Sequence, residues 1–178
     1  VKCVVWDLDN TIWNGVLIEG KIQVKNEIIQ TIKELDSKGV INSIVSKNDF
    51  GQAKSKLNEL GLWEYFVYPK INWNQKSHNL KLLIQELNVG EDAVIFIDDN
   101  PFEREEVKSF MSSIRVYDEC FFPSNLGHII KELPFTEDAS KRRKRYQIEE
   151  KRMVEANKFG LDFISFLHDC ELVLTLTK

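Results

Sequence analysis

The sequence predicts an α/β fold in which a five-stranded parallel sheet carries helices on both faces. Apolar runs of strand length alternate with stretches of helical periodicity, and glycines or a proline stand where those helices should stop or start. Each apolar run is followed by a short polar cluster. That is the pattern of a parallel sheet with a ligand site at the carboxyl ends of its strands.

Taken in order, the strands are expected at residues 2–7, 40–46, 65–68, 93–98 and 113–117, with amphipathic helices at 26–38, 49–60, 77–87 and 101–111. Gly39, Gly61 and Gly90 mark three helix stops, and Pro101 suits the first position of the fourth helix. Residues 13–24 leave room only for a hairpin flap, with Gly15 and Gly20 near its turns. The interval from Ser46 to Lys76 is filled by one helix and one strand. The core at residues 1–135 is therefore expected to be capless. Residues 136–178 read as a helical tail packed on that core, with Thr136 near the helix start, its end near Asn157, and an alternating terminal strand at 171–178. The opening on Val1 and the close on strand-like alternation suggest a piece excised from a longer polypeptide.

Composition narrows the class. The hydrophobic share of 43% and charged share of 29% are those of an ordinary globular domain, and the net charge of -4 argues against a dedicated nucleic-acid binder. No apolar run approaches the ~18 residues of a membrane span. Cys3, Cys120 and Cys170 are odd in number and scattered, so neither a disulfide framework nor a zinc site is suggested and a reducing cytoplasm is expected.

The first strand delivers Asp7 and Asp9 into a polar turn, Asp7-Leu8-Asp9-Asn10-Thr11. Strand alternation would point both carboxylates to one side, where one could attack and the other move a proton. Two carboxylates that close call for a hard cation, and Mg²⁺ suits oxygen ligands. Taken alone the string would also suit an Asx-type turn. The remaining strand ends extend the pattern. The second supplies Ser46, Lys47 and Asn48, whose hydroxyl and backbone N–H groups suit a phosphate. Lys76 follows the third, and Asp98-Asp99 closes the fourth with a second carboxylate pair.

On these motifs, Asp7-Leu8-Asp9-Asn10-Thr11, Ser46, Lys76 and Asp98-Asp99, the chain resembles the haloacid dehalogenase (HAD) superfamily. The resemblance implies a Rossmann-like three-layer domain in which Asp7 is the nucleophile that forms an aspartyl-phosphate and Asp9 the acid/base. Asn10, Thr11, Ser46, Lys47, Asn48 and Lys76 would hold the phosphoryl group. Mg²⁺ would be bound by Asp98 and Asp99 with the Asp7 carboxylate and the Asp9 carbonyl.

The longer strings 2–13, 46–49, 68–73 and 96–104 resemble the FkbH-like subfamily of glyceryl transferases. That implies conversion of 1,3-bisphosphoglycerate to an enzyme-bound glyceryl thioester, then loading of D-glyceryl onto the phosphopantetheine thiol of an acyl carrier protein in polyketide biosynthesis. A simple Mg²⁺-dependent phosphatase of a small phosphoester or phosphoprotein is the alternative, and a non-catalytic carrier-docking module the third reading. An uncapped site suits a carrier whose long prosthetic arm enters from outside.

The transferase needs a thiol. Cys120, at the carboxyl edge after the fifth strand, is the candidate acyl carrier, although Asp118 and Glu119 would raise its pKa. Cys3 and Cys170 read as packing residues. Lys141, Arg142, Arg143, Lys144 and Arg145 form either a solvated helix face or a docking surface for an acidic carrier protein. Trp13 and Trp73 are expected to pack the flap and loop rather than bind substrate. His78, His128 and His168 read as surface or structural histidines. Arg104 suits either a substrate anion or helix ion pairs.

Overall fold

A computed structural model describes residues 1–121, 125–132 and 137–159. In chain order these residues form β1 (Cys3–Trp6), the flap strands β2 (Trp13–Asn14) and β3 (Gln23–Val24), α1 (Asn26–Ser37), β4 (Ile41–Ser46) and α2 (Phe50–Glu59). There follow β5 (Lys70–Ile71), α3 (Lys76–Leu87), β6 (Val94–Ile97), α4 (Pro101–Phe110), β7 (Arg115–Tyr117), α5 (Leu126–Glu132) and α6 (Glu137–Phe159). The main sheet is parallel throughout, with strand order β5-β4-β1-β6-β7. β1 lies at its centre, where Val5 pairs with Ser43 on one side and Phe96 on the other.

Alternation along β1 sorts the core into two layers. Val4 and Trp6 join Ile28, Ile32 and Leu35 of α1 and Ala53 and Leu57 of α2, whereas Cys3 and Val5 join Leu80, Leu83 and Leu87 of α3 and Val107 of α4. The helices begin on local signals. Asp49 caps α2 by accepting from the Gln52 N–H at 2.8 Å, and Asn100 caps α4 ahead of Pro101 by accepting from the Phe102 N–H at 3.0 Å.

Two sequence expectations shift. The third strand does not lie at 65–68: Trp63–Tyr65 is a 3-10 turn, Phe66 makes only an isolated bridge to Asn42, and Tyr68 takes a left-handed φ of 50°. Regular pairing resumes only at Lys70–Ile71, against Val45 and Ser46. The stop of α3 is Asn88 at φ 52°, while Gly90 opens the next 3-10 turn. The flap is as expected, an antiparallel pair in which Trp13 faces Val24 and Asn14 faces Gln23.

The tail helix lies against the core. Added to Gly39, a Cβ would come within 2.7 Å of Ala139 Cα, so the start of α6 packs on bare backbone after α1. Arg142 donates to the Gly39 carbonyl at 2.9 Å, Arg143 pairs with Asp36 at 2.8 Å and lies over the Tyr65 ring, and Tyr146 donates to the Leu87 carbonyl at 3.0 Å. On the same helix, the Tyr146 ring meets the Tyr68 ring edge-on at 6.3 Å, just before β5. Lys141, Lys144 and Arg145 remain exposed. The expected helix start at Thr136, the terminal strand at 171–178, Cys170 and His168 lie outside the described residues. None of the described helices is long and apolar enough to cross a membrane.

Candidate active site

The ends of β1, β4 and β6, the start of α3 and the flap converge at the carboxyl edge of the sheet. Beyond Trp6 one more peptide stays in the ladder, with the Asp7 N–H donating to the Ile97 carbonyl at 2.9 Å. Asp7 thus continues the side of β1 that bears Cys3 and Val5, toward α3. Lys76, the first residue of α3, is only 2% exposed. Its Nζ lies 2.8 Å from Asp7 Oδ1 and 2.6 Å from Asp98 Oδ2, and it also pairs with Glu103, which reaches Lys47 at 2.9 Å.

Four carboxylates, on Asp7, Asp98, Asp99 and Glu103, thus meet two ammonium groups, and the cluster carries excess negative charge. The consequence appears in its acidities. Burial pushes Asp7 up to about 7, with Asp98 adding to the rise and Lys76 opposing it. Burial also raises Asp98 and Asp99. Burial works against the Lys76 ammonium, but Asp7 and Asp98 hold its pKa above the usual lysine range. For Glu103 burial is outweighed by Lys76 and Lys47, which hold its carboxyl below the usual range. One oxygen each from Asp7, Asp98 and Asp99 lies within 4.8 Å of the others. Three crowded carboxylates whose burial disfavours their charge fit a hard divalent cation.

Asp9 is positioned differently, because strand geometry has ended. The Leu8 carbonyl accepts the N–H groups of Thr11 and Ile12, and Asn10 turns through a φ of 55° while its side-chain oxygen accepts from the Gly15 N–H at 2.9 Å. Asp9 Oδ1 accepts from the Trp13 indole at 2.9 Å and the Leu17 N–H at 3.0 Å, and Oδ2 accepts from Asn48 at 3.3 Å. The same Asn48 amide reaches Ser46 Oγ at 3.1 Å.

Of the residues expected from the sequence, Asp7, Asp9, Asn10, Ser46, Lys47, Asn48, Lys76 and Asp99 line one cleft of about 210 Å³. Asp98 lies beneath them, fully buried. Thr11 departs from expectation. It is also fully buried, and its hydroxyl accepts from the Asp99 N–H at 3.2 Å, so it braces the first motif against the fourth instead of facing a phosphate. Among the described residues Arg104 meets neither a helix carboxylate nor the cleft. Its guanidinium donates at 2.7 Å to both the Asp98 and the Asp99 carbonyls and so fixes that loop. Trp13 is buried as expected and, in addition, holds Asp9; Trp73 is not packed but exposed.

Cys120 stays apart. It is exposed on the turn after β7 and lines a separate hollow with Arg104 and Tyr117; the neighbouring Glu119 charge raises its thiol pKa. Cys3 is buried in the layer facing α3 and α4. His78 and His128 are exposed. Sequence reasoning missed Glu103, the Trp13 indole and the Leu17 N–H. The only signal for Glu103 was its position one turn into the helix that follows the second aspartate pair.

The profile of the haloacid dehalogenase-like hydrolases matches residues 10–110, more than half of the chain. The chain belongs to this family. The haloacid dehalogenase match begins one residue after Asp9 and takes in Ser46, Lys76 and Asp98-Asp99. Among solved structures, the N-terminal part of a Bacteroides fragilis protein, containing a phosphatase domain and complexed with Mg, is 32% identical over 74% of this chain at a TM-score of 0.62. This chain spans 40% of that one. A HAD-superfamily hydrolase from Ehrlichia chaffeensis, 13% identical, shares the fold at a TM-score of 0.54, over 74% of this chain and 95% of that one. No curated protein matches.

Proposed function

We propose that this domain is a Mg²⁺-dependent phosphoryl-transfer enzyme in which Asp7 is the nucleophile, and that it serves glyceryl loading of an acyl carrier protein. The observation that carries the first part is the buried Asp7 carboxylate, set between Lys76 and two further aspartates at the floor of an open cleft. An Asp7 oxygen attacks phosphorus and forms an aspartyl-phosphate as the bond to the leaving oxygen breaks. Asp9, held by the flap, gives that oxygen its proton, then takes a proton from the water that attacks phosphorus and restores Asp7. Lys76, Ser46 and Asn48 hold phosphoryl oxygens, and Lys76 offsets the repulsion between two anions. Asp7, Asp98 and Asp99, with the Asp9 carbonyl, would hold Mg²⁺, which would draw charge from the phosphoryl oxygens. The Mg-bound Bacteroides fragilis relative supports the choice of metal.

The finer reading, from 1,3-bisphosphoglycerate to a glyceryl thioester and on to a carrier-protein thiol in polyketide biosynthesis, rests on the resemblance of the four longer strings. The capless cleft is compatible with it. One observation favours the simpler phosphatase: Cys120 lines a separate hollow and its thiol pKa is raised. Intact-protein mass spectrometry separates the two. The enzyme, Mg²⁺, 1,3-bisphosphoglycerate and a carrier protein bearing its phosphopantetheine arm should yield a glyceryl-loaded carrier together with phosphate. Phosphate without loading would leave the phosphatase, and release of neither would sink both. A glyceryl adduct that persists on Cys120→Ala would remove Cys120 from the route.

A further inference from the structure

Building on the phosphoryl-transfer reading of the cleft, we propose that Glu106 of α4 is a positioning residue for that reaction, capping α3 from outside and so fixing Lys76 between Asp7 and Asp98. The need for such a cap lies in the sequence of α3. Its first residue is the buried Lys76, so a cation is attached at the helix end whose backbone dipoles are already positive. Gln75, just ahead of it, makes no side-chain capping bond, and the first turn holds no acidic residue. The Asn79 N–H donates to the Gln75 carbonyl at 3.1 Å, and the N–H groups ahead of Asn79 have no acceptor within the helix itself.

α4 supplies what α3 lacks. Glu103 and Glu106 stand three residues apart and so share a face of their helix. Glu103 pairs with Lys76, whereas Glu106 accepts from the Ser77 backbone N–H at 3.3 Å through one oxygen and from the Ser77 hydroxyl through the other. An N-cap side chain ordinarily serves the second or third N–H of its own helix, and here a carboxylate from the neighbouring helix serves the second. Ser77 is buried, so water is a poor substitute for that carboxylate. The residue next to Ser77 is the one whose ammonium lies 2.8 Å from Asp7 and 2.6 Å from Asp98, and a displacement of about 1 Å near a reacting centre can cost 10²-fold. The loop that enters α3 is held separately, by Asn72 and Asn79, whose amides exchange bonds at 2.8 and 3.3 Å. Loss of Glu106 should therefore loosen the helix start without freeing it. Glu106 is not among the residues that line the cleft, so its effect on the reaction passes through Lys76.

Hydrolysis of acetyl phosphate by the full chain at saturating Mg²⁺ tests this. Glu106→Ala should lower kcat/KM roughly tenfold. Glu106→Gln, whose amide oxygen still accepts, should stay within about threefold of the parent. Glu105→Ala, beside it but exposed and paired with Lys108 at 2.8 Å, should match the parent. The decisive arm is the combination with Lys76→Met: with no ammonium left to place, adding Glu106→Ala should cost less than about twofold. Circular dichroism checks that each variant folds, and should the double variant not fold, rescue by Glu106→Gln decides. Glu106→Ala at the parent's rate, equal losses for the Ala and Gln variants, or a tenfold loss that persists on Lys76→Met would each overturn the positioning role while the reaction stands. A folded parent chain that releases no phosphate overturns the phosphoryl-transfer reading, and the positioning role with it.

Discussion

Asp7 and Asp9 leave β1 two residues apart and are held in opposite ways. Asp7 is gripped by charge: a buried ammonium shared with Asp98 and Glu103, in a cluster where burial disfavours ionised carboxylates. Asp9 is held by neutral donors, an indole and a backbone N–H from the flap and an amide from the β4 end. The first arrangement ties a nucleophile's reactivity to its counter-charges. The second fixes the orientation of a proton carrier and adds no formal charge.

The hardest strike at the charged side is Asp7→Asn. On the proposed chemistry it should lower kcat by about 10³-fold or more, ~4 kcal/mol of transition-state stabilisation. Turnover of acetyl phosphate within tenfold of the parent would remove Asp7 from the nucleophile's role. Next comes Lys76→Met, which leaves Asp7, Asp98 and Glu103 facing one another without their shared ammonium. The metal-free protein should lose ~3–5 kcal/mol, read from urea unfolding, and Mg²⁺ should return part of it. Equal midpoints for variant and parent would show that the cluster does not need the lysine.

A pH series separates the two sides without mutation. The folded pKa of Asp7 is raised to about 7 by burial, so its neutral form is favoured by folding. That contribution is complete below the carboxyl's unfolded value of about 4 and disappears as pH climbs through about 7. Asp98 and Asp99 shift the same way, while Glu103, held low, works with the opposite sign. Metal-free stability should therefore fall between about pH 4 and pH 7, and saturating Mg²⁺ should flatten the slope. A flat metal-free profile would contradict the burial argument.

The smallest expected effect is on the neutral side. Trp13→Phe keeps the buried ring but removes the indole donor to Asp9, which should cost about 1 kcal/mol and a severalfold fall in kcat. A loss as large as that of Asp7→Asn would mean that the flap shapes the cleft rather than orienting one carboxylate.

The legible parts of the molecule are those in which one local signal coincides with one structural event. β1, β4 and β6 could be read because each apolar run ends in polar residues, and the site residues at those ends followed from parallel topology. β5 could not: Tyr68 bends the chain with a positive φ and Pro69 interrupts the run, so apolar periodicity at 65–68 marks buried packing but not the paired segment. The family resemblance implies a phosphate role for Thr11 as part of the first motif. Its actual partner, Asp99, lies 88 positions away, a distance no local pattern spans. Glu103 and Arg104 escaped for the same reason: on a helix an adjacent Glu-Arg-Glu run reads as surface charge until the strand ends are placed beside it.

The packing of α6 beside Tyr68 and Pro69 has a consequence for how molecules of this protein meet one another. β5 is the outermost strand on its side of the sheet, and an outer strand offers unpaired backbone groups to any passing strand. Glu150 of α6 lines the same hollow as Pro69, next to that strand, and so sets a charge where a passing strand would have to settle. Replacing it with alanine would leave the reaction's chemistry alone and open the border, so its mark would be self-association at high concentration, seen by light scattering rather than by any assay of turnover.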